Sequence, residues 1–376
     1  MSGVLAGLRI VELAGIGPAP FAATMLADHG AEVIRIERPG AWVTPADCLL
    51  RNRLSIALDL KKPGAIDVVR DLCRVSHGLI EGFRPGAMER MGLGPDVLLE
   101  DNPGLVYGRV TGWGQFGPLA VAAGHDINFI AITGLLHTVG ERGQKPTVPV
   151  NYAGDFGGGG MMLAFGMVSA LLHVRMGGTG QVIDCAMTDG SAMLMGMTWS
   201  LLNAGLWHDE RGANTLDGGA HFYGTYECSD GKSVALGSVE PQFYAMLREK
   251  AGLDGAEFDT QRDASRWPEL KEKVAAIFRT KSRDEWCDLL EGTDVCFAPV
   301  LSLAEAPYHP HNLARNTYIE VEGKMQPAPV PRFAASAPDP VRPPQAPGAS
   351  TALVLEQLGY SPTKIATLAT DGVVTL

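Results

Sequence analysis

The sequence is poor in charge and in cysteine for its length of 376 residues. Its six cysteines form no Cys-x-x-Cys pair and no metal-ligand spacing, so scattered reduced thiols and no metal site are expected. Lys and Arg number 31 against 42 Asp and Glu, and the net charge of −11 argues against nucleic acid or an anionic membrane as a partner. The cysteines are Cys48, Cys73, Cys185, Cys228, Cys287 and Cys296.

Long apolar runs and targeting signals are also missing. The longest apolar stretch, residues 161–172, is too short to span a bilayer and predicts a buried helix. No basic segment followed by an apolar run opens the chain, so no signal peptide is expected. The last residues do not form the Ser-Lys-Leu peroxisomal signal, which favours a bacterial cytoplasmic protein.

The first part of the chain alternates strand and helix signals. Short apolar or alternating segments predict strands at 8–13, 31–36, 55–60, 78–81 and 105–110, with helices after Gly17-Pro18 and at 65–76 between them. This alternation predicts an α/β domain with a mostly parallel sheet. The ligand of such a sheet lies at the carboxyl ends of the strands.

Later segments have a different pattern. Residues 222–237 predict an antiparallel hairpin, and helices are expected near 242–251, 268–279 and 283–291, as in an α+β domain. Residues 326–348 hold eight of the 25 prolines and must be extended, and a short helix follows at 352–358. We therefore expect a large domain over 1–200, a small domain with its linker over 201–325, and a strap over 326–376 that returns to the large domain.

A histidine and an aspartate stand beside glycine in two separate segments. His125 lies in Gly124-His125-Asp126, and Asp155 precedes four glycines that would let backbone N–H groups approach a ligand. Asp126 is a candidate helix N-cap whose free N–H groups would hold an oxyanion. Two proton-transfer groups on opposite faces of one carbon are what a racemase needs. A structural histidine and a turn aspartate would give the same pattern.

Other polar residues have two interpretations each. Glu240 precedes Pro241 at a predicted helix start, where it either orients His125 or is a surface carboxylate. Basic residues of the first domain suit phosphate contacts, although each alone is more often a solvated charge. Gly15-x-Gly17 lacks the third glycine of a dinucleotide site. The basic residues are Arg38, Lys61, Lys62, Arg84 and Arg90.

Seven motifs in this order resemble the family III CoA-transferases, and more closely their α-methylacyl-CoA racemase branch. The resemblance runs from the N-terminus to Leu358-Gly359-Tyr360-Ser361 and covers essentially the whole chain. The motifs are Gly15-Ile16-Gly17-Pro18, Arg35-Ile36-Glu37-Arg38-Pro39, Leu58-Asp59-Leu60-Lys61, Gly82-Phe83-Arg84-Pro85-Gly86, Gly124-His125-Asp126-Ile127-Asn128, Gly154-Asp155-Phe156-Gly157-Gly158-Gly159 and Gly180-Gln181-Val182-Ile183-Asp184.

The resemblance implies a fold and an assembly. The family forms interlocked homodimers, in which a Rossmann-like large domain built from both chain ends is joined to a smaller α+β domain. The active site lies between the large domain of one subunit and the small domain of the other. The substrate is an acyl-CoA thioester, and no separate cofactor is required.

The resemblance also implies roles for individual residues. His125 and Asp155 become the two acid/base groups, Glu240 hydrogen-bonds the histidine, and the Asp126 backbone N–H binds the thioester oxygen. Arg38 and Arg84 contact the CoA nucleotide together with Lys61 or Lys62. Leu60 and Arg90 complete the CoA-binding set, and Tyr223 is a further candidate beside the site.

Three functions stay open at this point. The first is epimerisation of 2-methylacyl-CoA through an enolate. The second is CoA transfer between carboxylic acids, with Asp155 as nucleophile. The presence of His125 and Glu240, with Gly237-Ser238-Val239-Glu240-Pro241 in place of the transferases' second glycine-rich loop, favours the racemase. The third, a non-catalytic acyl-CoA-binding protein, would expect a broken acid/base pair.

One segment departs from the family pattern. Residues 40–48 match no family motif, and they lead to Arg51-Asn52-Arg53, where Arg-Gly is expected. A segment of this kind beside the ligand would change the acyl preference. The sequence does not specify whether the acyl group is a branched fatty chain, a sterol side chain or an arylpropionate.

Overall fold

The structure, a computed structural model, describes residues 2–376 and divides into two compact units. The first unit contains the chain up to Thr133, Val150–Leu194 and Asn316–Leu376. The second contains Gly134–Pro149 and Met195–Arg315. The first unit thus draws on both ends of the chain. Its boundaries fall near the expected ones at 200 and 325, but residues 134–149 belong to the second unit.

The helices and strands follow one another along the chain. The strands are β1 (Arg9–Leu13), β2 (Glu32–Glu37), β3 (Arg53–Leu58), β4 (Gly78–Glu81), β5 (Val106–Thr111), β6 (Gln181–Ala186), β7 (Tyr223–Glu227), β8 (Ser233–Gly237), β9 (Phe297–Val300), β10 (Tyr318–Val321), β11 (Lys324–Pro327) and β12 (Val374–Thr375). The helices are α1 (Pro18–Asp28), α2 (Pro63–Arg74), α3 (Ala87–Arg90), α4 (Pro95–Asp101), α5 (Asp126–Ile132), α6 (Leu135–Thr138), α7 (Met162–Arg175), α8 (Met187–Leu194), α9 (Gly196–Asn203), α10 (Pro241–Ala251), α11 (Trp267–Phe278), α12 (Arg283–Leu290), α13 (Pro310–Arg315), α14 (Thr351–Gln357) and α15 (Pro362–Thr370).

The first unit is built on a seven-stranded sheet in the order β12-β3-β2-β1-β4-β5-β6. All neighbouring strands run parallel except β12, which pairs antiparallel with β3. The strand order reverses between β1 and β4, which is the place where an open α/β sheet holds its ligand. The mostly parallel α/β sheet predicted from the sequence is therefore confirmed.

Strands β1 to β5 are buried because helices cover both faces of the sheet. Every residue of β4 and β5 is buried, as expected for central parallel strands. Proline opens α1, α2 and α4, where its fixed φ and missing N–H cost nothing. The five strands predicted from the sequence agree with β1 to β5 within two residues at each end.

The C-terminal strap is anchored to the first unit by buried polar contacts. Arg51 Nη1 donates to the Gln326 side chain at 2.8 Å and to the Pro327 carbonyl at 2.7 Å. Asn52 adopts a left-handed φ of 63°, and its Oδ1 accepts from the Arg342 N–H at 2.8 Å. Asparagine tolerates this conformation, so it replaces the glycine expected after Arg51 and adds a tether that glycine lacks.

The second unit packs helices against an antiparallel sheet in the order β7-β8-β9. Its core contains Phe222, Leu247, Phe278 and Trp286, all buried. The hairpin predicted over 222–237 corresponds to β7 and β8, and the three predicted helices correspond to α10, α11 and α12.

The apolar stretch 161–172 belongs to a longer helix than expected. Tyr152–Met161 forms π-helical turns that continue into α7, so one helix runs over Tyr152–Arg175. By length and composition alone this helix is long and apolar enough to cross a membrane, and 44% of its most apolar window is buried. The stretch was expected to form a buried helix of its own, and it is instead the second part of a longer helix that is only partly buried. Leu163 and Met167 pack against the sheet at Gly108, where a Cβ would lie within 3 Å of both.

Candidate active site

Two cavities of the first unit open where the strand order reverses. The Arg38 cavity, of about 650 Å³, lies over the ends of β1, β2 and β3 and includes Arg38 in its wall. The His125 cavity, of about 630 Å³, lies over the ends of β4 and β5 and includes His125. Ile16, Gly17 and Phe83 line both cavities. The two cavities therefore adjoin, and one elongated ligand can occupy both.

His125 stands at the N-cap of α5. Its backbone N–H donates to Asn128 Oδ1 at 3.0 Å, which fixes the start of the helix. Asp126 was expected to be the N-cap, but it is the first residue of the helix and its side chain is buried. The side chain of His125 is exposed towards the cavity that bears its name.

Asp155 lies in the π-helical segment Tyr152–Met161 and faces the same cavity. Asn151 Nδ2 donates to Asp155 Oδ2 at 3.0 Å, and the Asp155 N–H donates to Asp126 Oδ1 at 2.7 Å. Burial raises the pKa of Asp155 above its usual range, the Asn151 hydrogen bond lowers it, and the Asp126 carboxylate raises it further. The net direction is upward, which favours a carboxyl group that can carry a proton.

Glycines next to the two aspartates allow this close approach. A Cβ on Gly154 would lie 2.4 Å from Asp126 Oδ1, so a side chain here would displace the carboxylate. Gly17 has a φ of 71°, and its Cβ would lie 3.3 Å from Asp155 Oδ2. Only glycine brings the loop after β1 this close to Asp155 without strain.

The run Gly157–Gly160 has another role than expected. A Cβ on Gly158 would lie 2.7 Å from the backbone nitrogen of Ser191 in α8, and one on Gly160 would lie 2.9 Å from the Pro18 carbonyl in α1. These glycines allow three helices to pack closely. The expectation that they present N–H groups to a ligand is therefore wrong, since all but Gly157 are buried.

The predicted CoA-binding residues divide between the two cavities. Arg38, Leu60 and Lys61 line the Arg38 cavity, and Arg84 lines the His125 cavity. Lys62 instead donates to the Asp371 carbonyl of the C-terminal segment. Arg90, at the end of α3, lines neither cavity.

A buried ionic network supports the loop between the cavities. Glu12 on β1 pairs with Arg35 on β2 and with Arg53 on β3, the latter at 3.0 Å. Arg35 Nη2 donates to the Gly15 carbonyl at 3.3 Å. Because Gly15 precedes the glycine that contacts Asp155, the network ties the loop to the sheet.

Glu240 and Tyr223 belong to the second unit. Glu240 is the exposed N-cap residue of α10, and its carboxylate accepts no hydrogen bond within that unit, all of which the structure describes. Tyr223 begins β7. Their predicted roles beside His125 stay predictions.

Sequence reasoning missed two features of the site. The first is Asn151, which hydrogen-bonds Asp155. It stands four residues before Asp155, and in a helix this spacing places the two side chains next to each other, which is the signal that could have identified it. Trp113 and Phe129 meet edge to face with centroids 4.8 Å apart and form an aromatic wall.

Among residues 2–376, no three His, Cys, Asp or Glu side chains are grouped as metal ligands would be.

An α/β sheet with adjoining cavities at its switch point, one with Arg38 and Lys61 in its wall and one holding a histidine and a raised-pKa aspartate, defines an enzyme site of the open α/β type. The chain belongs to the CoA-transferase family III, whose sequence model matches residues 5–349. The resemblance noted from the motifs is confirmed.

Relatives in the racemase branch match almost the whole chain. It is 44% identical over 375 residues to the alpha-methylacyl-CoA racemase of Mus musculus, covering 99% of this chain and 97% of that protein. The human alpha-methylacyl-CoA racemase is 42% identical, with coverages of 98% and 97%. The crystal structure of a CAIB/BAIF family protein from Brucella suis superimposes with a TM-score of 0.82 at 25% identity, covering 95% of this chain and all of that one. These relatives confirm the prediction of an enzyme of the isomerase class.

Proposed function

We propose that this protein interconverts (R)- and (S)-2-methylacyl-CoA thioesters by moving the α proton between two protein groups. The observation that carries the proposal is that His125 and Asp155 line one cavity, which adjoins a second cavity with Arg38 and Lys61 in its wall. The names of the mouse and human relatives support the substrate class.

The adjoining cavities match the two ends of an acyl-CoA. Arg38 and Lys61 are exposed cations in the Arg38 cavity, where they would bind the phosphates, and Leu60 would contact the nucleotide. The pantetheine arm would pass Ile16, Gly17 and Phe83 into the His125 cavity. Arg84 stands in that second wall, near the junction.

In the proposed reaction, His125 removes the α proton from one face of the thioester and Asp155, protonated, delivers a proton to the other. The pair returns to its starting state when the protons are exchanged with solvent. General acid–base catalysis of this kind contributes roughly 10²–10⁴-fold. The raised pKa of Asp155 supports its role as the acid.

The developing enolate needs a hydrogen-bond donor. The backbone N–H of Asp126 donates to no other group within residues 2–376, and it would bind the thioester oxygen. A well-placed donor of this type contributes about 3–4 kcal/mol to the barrier reduction. The reaction redistributes one proton with no net oxidation, so we propose that CoA acts as part of the substrate and that no other cofactor takes part.

We also propose that the enzyme is a homodimer located in the cytoplasm. The helix Tyr152–Arg175 exposes apolar side chains on one face, with Phe165 73% and Leu172 58% exposed. The same helix carries Asp155, so a second copy that covered this face would lie beside the site. In such a dimer, Glu240 would reach His125 from the other subunit. The apolar face would be buried against protein and would need no membrane to cover it.

The test is a pair of alanine variants. His125→Ala and Asp155→Ala should each abolish epimerisation and leave CoA binding intact, because each variant removes one of the two proton-transfer groups. His137→Ala is a matched control, since this exposed histidine of α6 pairs only with Asp209 in the second unit. It should keep full activity.

The same variants distinguish racemisation from CoA transfer. With an acceptor carboxylate added, a transferase would form a covalent acyl intermediate on Asp155 and move CoA to the acceptor. Trapping of that intermediate, or normal epimerisation by Asp155→Ala, would contradict the proposed two-base mechanism.

A further inference from the structure

The segment between Arg38 and Leu50 holds an exposed tryptophan at the rim of the Arg38 cavity. Trp42 is 85% exposed, although it is the largest side chain in the wall. The segment is anchored at both ends. The Ala41 N–H donates to the Arg38 carbonyl at 3.1 Å, and Thr24 Oγ1 donates to the Leu49 carbonyl at 2.7 Å. These bonds order the backbone on either side of Trp42, whose indole lines the Arg38 cavity.

The chemistry of the cavity around Trp42 is that of a nucleotide site. Leu58 and Leu60 supply apolar surface, and Arg38 and Lys61 supply cations that form no ion pair within residues 2–376. The wall also holds two half-buried carboxylates that form no ion pair with these cations: Asp47 accepts from the Leu49 N–H at 3.0 Å, and Asp59 accepts from the Lys61 N–H at 3.2 Å. An exposed aromatic ring in a wall that also offers apolar surface and unpaired cations suits a base that is joined to phosphates.

The position of the segment also indicates which end of the substrate it contacts. Residues 41–50 contribute to the Arg38 cavity, and none of them lines the His125 cavity. A side chain in this segment therefore lies away from the thioester and its acyl group. From the sequence, an effect of this segment on acyl preference is expected. Its position in the Arg38 cavity instead indicates a contact with the nucleotide end of the substrate.

We propose that the Trp42 indole stacks on the adenine ring of CoA and sets the affinity for the nucleotide end of the substrate. This inference rests on the proposed acyl-CoA substrate but not on the proton-transfer mechanism. It predicts a change in the KM for acyl-CoA with no change in kcat, because Trp42 contacts no reacting atom.

The experiment compares Trp42→Ala and Trp42→Phe with the wild-type protein. Calorimetric titration with CoA and with 3′,5′-ADP, the nucleotide end of CoA, should show binding roughly 5- to 150-fold weaker in Trp42→Ala. Trp42→Phe should restore most of the affinity, since its ring also stacks. Leu303→Ala is the matched control, because Leu303 is a 91% exposed apolar side chain in the second unit. It should leave both affinities unchanged.

A truncated substrate separates the two ends of the ligand. The kcat/KM for an acyl-pantetheine thioester, which lacks the nucleotide, should be the same in Trp42→Ala as in the wild type. Equal losses for acyl-CoA and acyl-pantetheine would instead place Trp42 at the acyl end and overturn the inference. A CoA affinity of Trp42→Ala within twofold of the wild type would also overturn it.

Fluorescence gives a readout that does not depend on turnover. Stacking on adenine should quench the emission of Trp42, so 3′,5′-ADP should quench the wild type more than Trp42→Phe. CoA binding without racemisation would refute the proposed function and leave this inference standing. A chain that binds no CoA would refute both.

Discussion

The hydrogen bond from Asn151 to Asp155 is the contact in the site whose removal has the clearest consequence. Asn151 Nδ2 lies 3.0 Å from Asp155 Oδ2 and stabilises the charged carboxylate. In Asn151→Ala this donor is lost, so burial and the Asp126 carboxylate, which both raise the pKa of Asp155, act without opposition from it. The pKa of Asp155 should therefore rise further.

The size of the rise follows from the strength of the bond. A hydrogen bond to a charged group contributes about 1.5–3 kcal/mol, and one pH unit corresponds to about 1.4 kcal/mol. Asp155 is half-buried, so water replaces part of the lost bond, and we expect a rise of about one pH unit. The protonated form then persists to higher pH.

The assay is the pH dependence of kcat/KM, started from each enantiomer in turn. In the direction that needs Asp155 as an acid, the alkaline limb should move up by about one unit. In the direction that needs it as a base, the acid limb should move up equally. Asn203→Ala, which removes an exposed asparagine at the end of α9 that lines neither cavity, should leave these limbs in place. Limbs of Asn151→Ala that stay in place or move down would refute the reasoning.

Three further predictions concern other parts of the chain. Gly154→Ala would place a Cβ 2.4 Å from Asp126 Oδ1, so kcat should fall at least about tenfold with the circular dichroism unchanged, whereas Gly196→Ala, which has open space, should keep full activity. Glu12→Ala leaves two buried arginines without their shared carboxylate. Urea unfolding should show that the free energy of unfolding falls by about 3–5 kcal/mol, and a fall of less than about 1 kcal/mol would contradict the buried network. Burial lowers the pKa of His221 from 6.5 to about 4, so the unfolded chain binds a proton first as the pH falls. The free energy of unfolding should therefore fall between pH 6.5 and about 4. From pH 8 to pH 5 the wild type should lose about 2 kcal/mol, and His221→Phe should lose about 2 kcal/mol less than the wild type.

The elements of the first unit were predictable because their signals are local. Proline at the start of α1 and α2, apolar strands and short polar turns specify where each element begins and ends. The parallel sheet then follows from the alternation of strands and helices. The strap was predictable from its prolines, but its anchors at Arg51 and Asn52 depend on contacts with residues almost 300 positions away.

The π-helical segment was not predictable from local signals. Four successive glycines favour a loop in isolation, since glycine lowers helix stability by roughly 1 kcal/mol per residue. Packing against α1 and α8 overrides this preference, because only glycine permits the contacts of Gly158 and Gly160. The helix therefore begins about ten residues before the apolar stretch, and Asp155 lies inside it.

The candidate site likewise combines residues that the sequence identifies with contacts that only the fold reveals. His125 and Asp155 were identified from motifs, and the structure places both in one cavity. Lys61 and Lys62 are adjacent and chemically identical, so the sequence could not separate them. Only the fold shows that Lys61 faces the Arg38 cavity and that Lys62 donates to the carbonyl of Asp371, more than 300 residues away.

The most direct test of the proposed mechanism is the reaction of one enantiomer of a 2-methylacyl-CoA with the purified protein in D₂O, without any acceptor acid. Mass spectrometry and chiral analysis follow the product. The two-base mechanism predicts one deuterium at the α carbon together with loss of stereochemical purity. Retention of both the α hydrogen and the configuration would contradict it, and transfer of CoA to a carboxylate added afterwards would identify Asp155 as a nucleophile.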